Sequence, residues 1–335
     1  MAEKLHVVML PWIAFGHMIP FFQLSIALAK AGIKVSFVST PRNIKRLPEI
    51  PPGLADLVEF VEFPLPSLEN DVLPEDGEAT VDIPAEKIDY LKIAYDLLKH
   101  PLKQFIADQL PDWIIIDMMP YWMVDIAREN KVSLIHFTVL CAAACVFLGH
   151  PERIAGDDQK RLTESTHMTS KPEWVDFPSS VAYRNDEAVD AFEGIYGENA
   201  SGITDVERVT RIHNGCQALV VRSCAEFEGD YLNLFERLIG KPVIPLGLMP
   251  REKQERKQFT DVEKGLGVEI EKGEDGSFTR DGVEKALKLA MVSVEGKSMR
   301  EKASEAAALF GNLKLHQDFY IGKFVDFLKK KKRNV

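Results

Sequence analysis

The stretch LHVVMLPWIAFGHMIPFFQLSIALAKAGIKVSFVST, residues 5–40, contains the pattern that decides the fold. Its first apolar run, LHVVML, predicts a buried strand, and IKVSFVST predicts a second one. Between them a helix is predicted from Pro20, a residue favoured at the first helical position, to Gly32, a residue favoured just after a helix. A strand, a helix and a strand in this order form the repeating unit of a parallel sheet covered by helices.

The same alternation continues to residue 249. The apolar runs DWIIID, VSLIHFTV, QALVVRS and PVIPLGL predict further strands. The segments between them predict helices, among them a long amphipathic one over residues 87–110. We therefore predict an α/β fold in which residues 1–249 form a doubly wound, parallel-sheet (Rossmann-like) domain.

After residue 249 the pattern changes. Residues 250–261 are highly charged and lack core periodicity, which predicts a linker. Residues 262–335 predict one strand, in GLGVEIEK, and three helices. Because one strand cannot form a sheet of its own, we predict that residues 262–335 are a truncated, mostly helical remnant of a second Rossmann-like domain.

Composition excludes several classes of protein. The formal net charge of −10 over 335 residues argues against a nucleic-acid partner, which would require a basic face. Cys141, Cys145, Cys216 and Cys224 show neither the spacing of metal ligands nor that of a disulfide framework, so we expect reduced thiols and no metal. No apolar stretch is long enough to span a bilayer, and proline interrupts the first apolar run too early for a signal peptide. We expect a cytoplasmic protein without a membrane span.

Two polar residues follow predicted strands at positions where open parallel sheets bind their ligands. His17 follows the first strand beside a helix N-terminus, whose positive end should keep the imidazole neutral, and Asp117 ends the run DWIIID. A general base is usually oriented by a second group such as a carboxylate. Alone, His17 could be a packed structural residue and Asp117 a helix cap; together they favour a catalytic dyad. His136, inside an apolar strand, is predicted to be a core residue.

Familiar nucleotide and hydrolase motifs are missing from the sequence. It contains neither G-x-x-x-x-G-K-[ST] nor G-x-G-x-x-G, and the GLG at 265–267 precedes a predicted strand instead of opening a helix. No G-x-S-x-G elbow is present, which disfavours Ser/His/Asp hydrolysis. The residues alone therefore predict a crevice capable of acid–base chemistry without a recognisable phosphate cradle.

Several segments resemble one known family. LPWIAFGHMIPFFQLSIALAKAG, PDWIIIDMMPYW, VVRSCAEFEGDYL, PVIPLGLMP and DGSFTRDGVEKALKLAMV are similar to plant UDP-dependent glycosyltransferases of the inverting, two-Rossmann-domain (GT-B) type. The likeness is greatest to the branch that glycosylates flavonoid or terpenoid glycosides, and it covers nearly the whole chain. It implies inverting transfer of a sugar from a UDP-sugar co-substrate, without a metal, to a hydroxyl of a small-molecule acceptor.

The resemblance also implies roles for individual residues. His17 matches the base that deprotonates the acceptor, and Asp117 matches the aspartate that orients it. Thr138, together with Gly16, is expected to contact the donor sugar. Four apolar residues close to the expected crevice are candidates for the acceptor pocket, although such side chains most often pack in a core: Phe15, Met119, Trp122 and Phe137.

One part of the family's pattern is missing. The family holds the UDP-sugar with a signature that begins Trp-Ala-Pro-Gln and includes a His-x-Gly-Trp segment, yet the last tryptophan of this sequence is Trp174. The chain passes from the linker, near Asp261, directly to a segment that resembles the family's final part. Losing a single preorganised donor at a developing charge costs about 2.7–4 kcal/mol, so sugar transfer is expected to be weak or lost.

Two principal functions remain open at the level of sequence. The chain is either a glycosyltransferase by descent or a non-catalytic small-molecule-binding module, such as a pseudoenzyme or a splice or gene-model product. A third, less favoured, alternative is an enzyme that uses His17 for proton transfer without a sugar.

Overall fold

The computed structural model describes residues 4–149, 164–249, 268, 270 and 277–330. Seven strands in these residues form one sheet in which every neighbouring pair is parallel. The strands are β1 His6–Leu10, β2 Lys34–Ser39, β3 Val58–Glu62, β4 Trp113–Ile116, β5 Ser133–Thr138, β6 Ala218–Val221 and β7 Val243–Pro245. Their order is β3-β2-β1-β4-β5-β6-β7, which confirms the predicted doubly wound α/β architecture.

Helices connect the strands and cover both faces of the sheet. Among the described residues up to 249, the α-helices are α1 Phe15–Lys30, α2 Pro41–Arg46, α3 Ile88–Leu97, α4 Lys99–Gln109, α5 Met123–Glu129, α6 Ala142–Leu148, α7 Asn185–Tyr196, α8 Asp205–Gly215 and α9 Ala225–Ile239. Those that follow are α10 Arg280–Met291, α11 Lys297–Phe310 and, after a π-helical segment at Lys314–Ile321, α12 Gly322–Lys330.

The core lies in two layers, one on each face of the sheet. Along β4, Ile114 and Ile116 belong to one layer, and Trp113 and Ile115 belong to the other. This division follows from the strand's alternation, because successive side chains point to opposite faces. All four are completely buried, as expected for a central parallel strand with helices on both sides.

Helix α1 begins earlier than the sequence predicts. Its first residue is Phe15, its N-cap is Ala14, and Pro20 lies inside it. The missing N–H of Pro20 would have bonded to the carbonyl of Gly16, so the helix loses one bond but continues. The consequence is that His17 lies in the first turn of α1 and not on the preceding loop.

The predicted helix over residues 87–110 is divided into α3 and α4 at Leu98. Pro101 has no N–H to donate to the carbonyl of Leu97, which accounts for a break at this point. The intervening Leu98 keeps right-handed helical dihedral angles, so the chain changes direction little between the two helices.

The chain divides into two compact units. The first contains Met1–Met249 and Leu315–Val335, and the second contains Pro250–Lys314. Within the second unit, α10 is capped by the Thr279 hydroxyl, which accepts from the Gly282 N–H at 3.0 Å. The linker predicted over residues 250–261 lies outside the described residues, as does most of the strand predicted in GLGVEIEK.

The C-terminal helix lies in the first unit, whereas the sequence analysis placed it in the second domain. Phe324 and Leu328 are completely buried in the same core layer as Trp113. The indole Nε1 of Trp113 donates to the carbonyl of Leu328 at 3.2 Å. The Tyr320 hydroxyl accepts from the Ala225 N–H at 2.9 Å. Apolar burial therefore assigns residues 315–330 to the first sheet.

Candidate active site

The strand order reverses between β1 and β4, which run side by side with Leu10 level with Ile116. Crevices beyond the carboxyl ends of strands at such a reversal are the usual ligand sites of open α/β sheets. His17 follows β1 in the first turn of α1, and Asp117 comes directly after β4. The fold therefore brings both predicted residues to the same point of the sheet edge.

His17 and Asp117 are joined by a hydrogen bond. The Nδ1 of His17 lies 2.8 Å from Oδ2 of Asp117. The carboxylate is fixed from two further sides, because its Oδ2 accepts from the Trp12 N–H at 3.0 Å and its Oδ1 accepts from the Met118 N–H at 2.7 Å. Asp117 is 1% exposed and His17 is 20% exposed. The buried carboxylate thus orients a ring that still reaches the solvent.

Each group shifts the pKa of the other. Burial alone would lower the pKa of His17, but the charge of Asp117 and the hydrogen bond to it outweigh burial and raise that pKa. Burial would raise the pKa of Asp117, but His17 and the two backbone donors lower it. The helix N-terminus, from which the sequence predicts a neutral ring, is opposed by the adjacent carboxylate, which favours the protonated ring.

The partner of Nδ1 determines which ring nitrogen is available for chemistry. A carboxylate only accepts hydrogen bonds, so Nδ1 of His17 carries the hydrogen that points to Asp117. In the neutral ring the lone pair is then on Nε2, which can take a proton from a nearby hydroxyl. Once protonated, the imidazolium is stabilised by the carboxylate behind it.

The two residues predicted to contact a donor sugar differ in exposure. Gly16 is exposed in the first turn of α1, and nothing lies within 4 Å of the position where a Cβ would be. Thr138, the last residue of β5, is buried; its Oγ1 accepts from the Leu140 N–H at 3.3 Å and lies 3.5 Å from Sγ of Cys145. The backbone at Gly16 is accessible, while the hydroxyl of Thr138 is already engaged within the protein.

Of the four candidate acceptor residues, the structure leaves Phe15 partly exposed and buries the others. The guanidinium of Arg46 lies 4.4 Å from the centroid of the Phe15 ring. Phe137 is completely buried against Phe21, with ring centroids 4.8 Å apart. Met119 and Trp122 belong to the opposite core layer. In this conformation Phe137, Met119 and Trp122 are all buried in the core, so their contribution to an acceptor pocket stays a prediction.

Other supporting residues gave no sequence signal. The segment before His17 is held by Tyr95, a completely buried residue of α3 whose hydroxyl donates to the carbonyl of Pro11 at 2.9 Å. The Thr80 N–H donates to the carbonyl of Ile13 at 3.2 Å. Most of these contacts, like that of Trp12, involve backbone groups that every residue type carries. Sequence patterns therefore could not reveal them.

His136 occupies the core of the sheet, next to the site but not in the dyad. Its Nδ1 lies 3.1 Å from Nε2 of His213, and both side chains are buried. Burial lowers the pKa of His136 to about 4, so its ring is neutral at physiological pH. In the described residues, no group of three His, Cys, Asp or Glu side chains is arranged to hold a metal ion. The helices of that part of the chain include none with the length and apolarity needed to cross a membrane.

Comparisons with known proteins identify relatives in plants. The chain is 43% identical over 261 residues to UDP-glycosyltransferase 91A1 of Arabidopsis thaliana, a match that covers 77% of this chain and 54% of the relative. It is 28% identical over 246 residues to inactive UDP-glycosyltransferase 79A6 of Glycine max, covering 73% of this chain and 75% of that one. The chain spans about half the length of UDP-glycosyltransferase 91A1. No protein-family profile matches it.

A solved structure supports the same architecture. The glycosyltransferase UGT73P12 of Glycyrrhiza uralensis, crystallised with glycyrrhetinic acid 3-O-monoglucuronide, matches 74% of this chain and 49% of its own with a TM-score of 0.56. At 18% identity this likeness establishes the fold alone. About three quarters of this chain therefore adopt a fold that a plant glycosyltransferase also adopts.

Proposed function

The chain belongs to the plant UDP-glycosyltransferase family, and from this premise we propose that its crevice binds a small hydroxylated acceptor for which His17 is the catalytic base. The observation that carries the proposal is the 2.8 Å hydrogen bond between Nδ1 of His17 and Oδ2 of Asp117 at the edge where the strand order reverses. That bond leaves Nε2 of a partly exposed ring as the proton acceptor.

The reaction proposed for this site is an inverting displacement. The acceptor hydroxyl gives its proton to Nε2 of His17 while its oxygen forms a bond to the anomeric carbon of a UDP-sugar. The bond between that carbon and the UDP oxygen breaks, and UDP leaves with the bonding electrons. Asp117 stabilises the imidazolium that results, and general-base assistance of this kind contributes about 10²–10⁴ in rate.

For the acceptor we propose a flavonoid or terpenoid glycoside. The name of one relative, anthocyanidin-3-O-glucoside rhamnosyltransferase of Petunia hybrida (29% identical over 269 residues), supports an acceptor that already carries a sugar. In the present chain, Phe15 offers a partly exposed apolar ring one residue before Gly16. A partly exposed apolar ring in the same helical turn as His17 suits a polycyclic acceptor whose single reacting hydroxyl must reach Nε2 of His17.

The donor side carries the main difficulty for catalysis. Departing UDP develops charge on its phosphates, and the family's diphosphate-binding signature does not occur in the sequence. Each preorganised donor that is missing costs about 2.7–4 kcal/mol, or about 10²–10³ in rate. We therefore propose that sugar transfer by this chain alone is strongly reduced or lost.

A second candidate function is non-catalytic binding of the same class of small molecule. It is favoured by the 79A6 relative, which is described as inactive and of which this chain covers 75%. In this case the acceptor crevice and the dyad remain, but the UDP-sugar is not held. The two candidates differ in one measurable property, which is the affinity for UDP.

Calorimetric titration of the full chain separates the two candidates. UDP, UDP-glucose and UDP-rhamnose are titrated first, followed by a flavonoid glycoside and a triterpenoid glycoside. Saturable binding of a UDP-sugar at sub-millimolar concentration together with product formation supports transfer. Acceptor binding without binding of any nucleotide supports the binding module. Absence of acceptor binding refutes both.

The role of His17 is tested with a matched pair of variants. His17→Gln should lower product formation by about 10²–10⁴, because it removes the base. His6→Gln is the control, since His6 lies at the other end of β1, with its Nε2 2.9 Å from Oγ of Ser36. Equal product formation by wild type and His17→Gln would remove His17 from the mechanism.

A further inference from the structure

A completely buried arginine lies behind the candidate site. Arg208, in α8, has no exposed surface, and both terminal nitrogens donate to Asp96 of α3, at 2.8 Å to Oδ1 and 2.6 Å to Oδ2. The same guanidinium donates to the carbonyl of Met119 at 3.1 Å and to Oγ of Ser201 at 2.9 Å. Arginine is almost never fully buried unless it is paired, so this network has a specific structural purpose.

The network holds the segment that follows Asp117. Besides the bond to Met119, the Arg208 guanidinium lies 5.1 Å from the centroid of the Tyr121 ring. The indole Nε1 of Trp122 donates to Oδ1 of Asp96 at 3.0 Å. This ion pair, in which Arg208 is completely buried and Asp96 is 20% exposed, therefore contacts three residues within five positions of Asp117. The segment is also joined to the carboxylate directly, through the Met118 N–H.

We propose that Arg208 is a positioning residue: paired with Asp96, it holds residues 118–122 so that the Asp117 carboxylate stays against His17. The inference rests on the proposed function, since it assigns a role within the same dyad. Its physical basis is that a bidentate arginine–carboxylate pair has a fixed planar geometry that other pairs lack. A displacement of about 1 Å at a catalytic group can lower a rate about 100-fold, so such a support matters for chemistry.

The same pair of helices contains a natural control. Lys92 of α3 bonds to Oδ1 of Asp205 in α8 at 2.7 Å, and its side chain is 8% exposed. This second buried ion pair also connects α3 with α8, and Asp89 is its other charged neighbour, at 3.6 Å. The polar partners of Lys92 in the described residues are Asp205 and Asp89, both outside residues 118–122, so the pair is a control for the loss of an interhelical ion pair by itself.

The experiment measures the pKa of the His17 ring by NMR titration of the full chain, with His17→Gln used to assign the signal. Arg208→Lys keeps the charge but loses the bidentate geometry. A double variant, Arg208→Met with Asp96→Asn, removes both charges and leaves no unpaired ion in the interior. Lys92→Met is the control, and thermal melting establishes that each variant is folded.

We expect the pKa of His17 to fall towards its ordinary value of 6.5 in both Arg208 variants and to stay at the wild-type value in Lys92→Met. Unchanged His17 titration in folded Arg208 variants overturns the proposal. It is also overturned if neither Arg208 variant folds while Lys92→Met does, because the network would then stabilise the whole domain and not the dyad.

The NMR readout is independent of sugar transfer, so the two proposals can fail separately. A His17 pKa that responds to Arg208→Lys in a chain without transfer activity supports the positioning role and refutes transfer. If the chain forms product but the pKa of His17 is unchanged in the Arg208 variants, transfer is supported and the positioning role is refuted.

Discussion

Replacement of Asp117 by asparagine tests the dyad directly, because every hydrogen bond accepted by this carboxylate comes from an N–H group. Oδ2 accepts from His17 and from the Trp12 backbone, and Oδ1 accepts from the Met118 backbone. Asparagine has one oxygen and one NH₂ group on its side chain. In either orientation its NH₂ therefore faces at least one N–H donor, and that contact is lost.

The size of the effect follows from these contacts. In the better orientation the amide oxygen retains His17 and Trp12, and the bond to Met118 is lost, which costs about 1.5–3 kcal/mol for a hydrogen bond to a charged group. Where the ring is protonated, loss of the carboxylate costs a further 1.4 kcal/mol, approximately, for each unit by which Asp117 raises the pKa of His17. We expect Asp117→Asn to lower the free energy of unfolding by about 2–4 kcal/mol in the range where both groups are charged.

The pH dependence has a defined sign. The pKa of His17 is raised in the folded protein, so its stabilising effect is complete below 6.5 and is lost as the pH rises through the folded value. The pKa of Asp117 is lowered, so its effect is complete above 3.8 and is lost as the pH falls through the folded value. The stability difference between wild type and Asp117→Asn should be largest between these limits and should decrease at higher pH.

Urea unfolding across a series of pH values provides the assay, and Asp112→Asn provides the matched control. Asp112 lies at the opposite end of β4, where its Oδ2 accepts from the His6 N–H at 2.8 Å. Burial lowers the pKa of His6 to about 4, so this control should show no pH dependence near neutrality. The reasoning would be refuted if Asp117→Asn lowered the free energy of unfolding by less than about 1 kcal/mol, or if its difference from wild type were the same at every pH.

Transfer activity, where it is detected, should rise with pH through the raised pKa of His17, because only the neutral ring accepts a proton; a kcat/KM profile that falls over that range contradicts the base assignment. Phe324→Ala should lower the free energy of unfolding by about 3–5 kcal/mol, measured in urea, because the ring is completely buried. Phe319→Ala, at a 44% exposed residue, is its control, and equal losses in both would contradict the assignment of α12 to the first core. Gly16→Ala should raise the free energy of unfolding by about 0.5 kcal/mol, seen as a slightly higher melting temperature, because nothing contacts the added methyl group. A marked decrease in melting temperature would show that the space at Gly16 is closed.

The central part of the fold could be predicted from sequence because parallel strands buried on both faces form continuous apolar runs. β1, β4 and β6 follow this rule, and each is almost entirely buried. The edge strand β3 is not predicted by the sequence, because the run VEFVE is neither continuously apolar nor strictly alternating, and only its first residue is buried. An edge strand is recognised from its pairing with a neighbouring strand, here β2. The periodicity of a single segment carries no information about that pairing.

The sequence predicts the two residues of the dyad, but it does not predict the side chains that surround them. His17 and Asp117 were recoverable because strand ends mark the ligand edge of such a sheet. Phe137 and Thr138 were both assigned to the crevice, although neighbouring residues of a strand face opposite sides; the structure buries Phe137 on the α1 side. Arg208 is 112 residues away from Asp96 in the chain, so no local pattern connects them.

The contacts that support the dyad all come from one unit of the chain. The carboxylate is held by the backbone at Trp12 and Met118, and Arg208 packs behind the following segment. Helix α12 belongs to the same unit, where it packs against Trp113 at the opposite end of β4 from Asp117. The coupling of His17 to Asp117, on which the proposed proton abstraction depends, therefore rests on contacts within this unit. Because these contacts do not involve a nucleotide, we expect the raised pKa of His17 to persist even if the chain does not bind UDP.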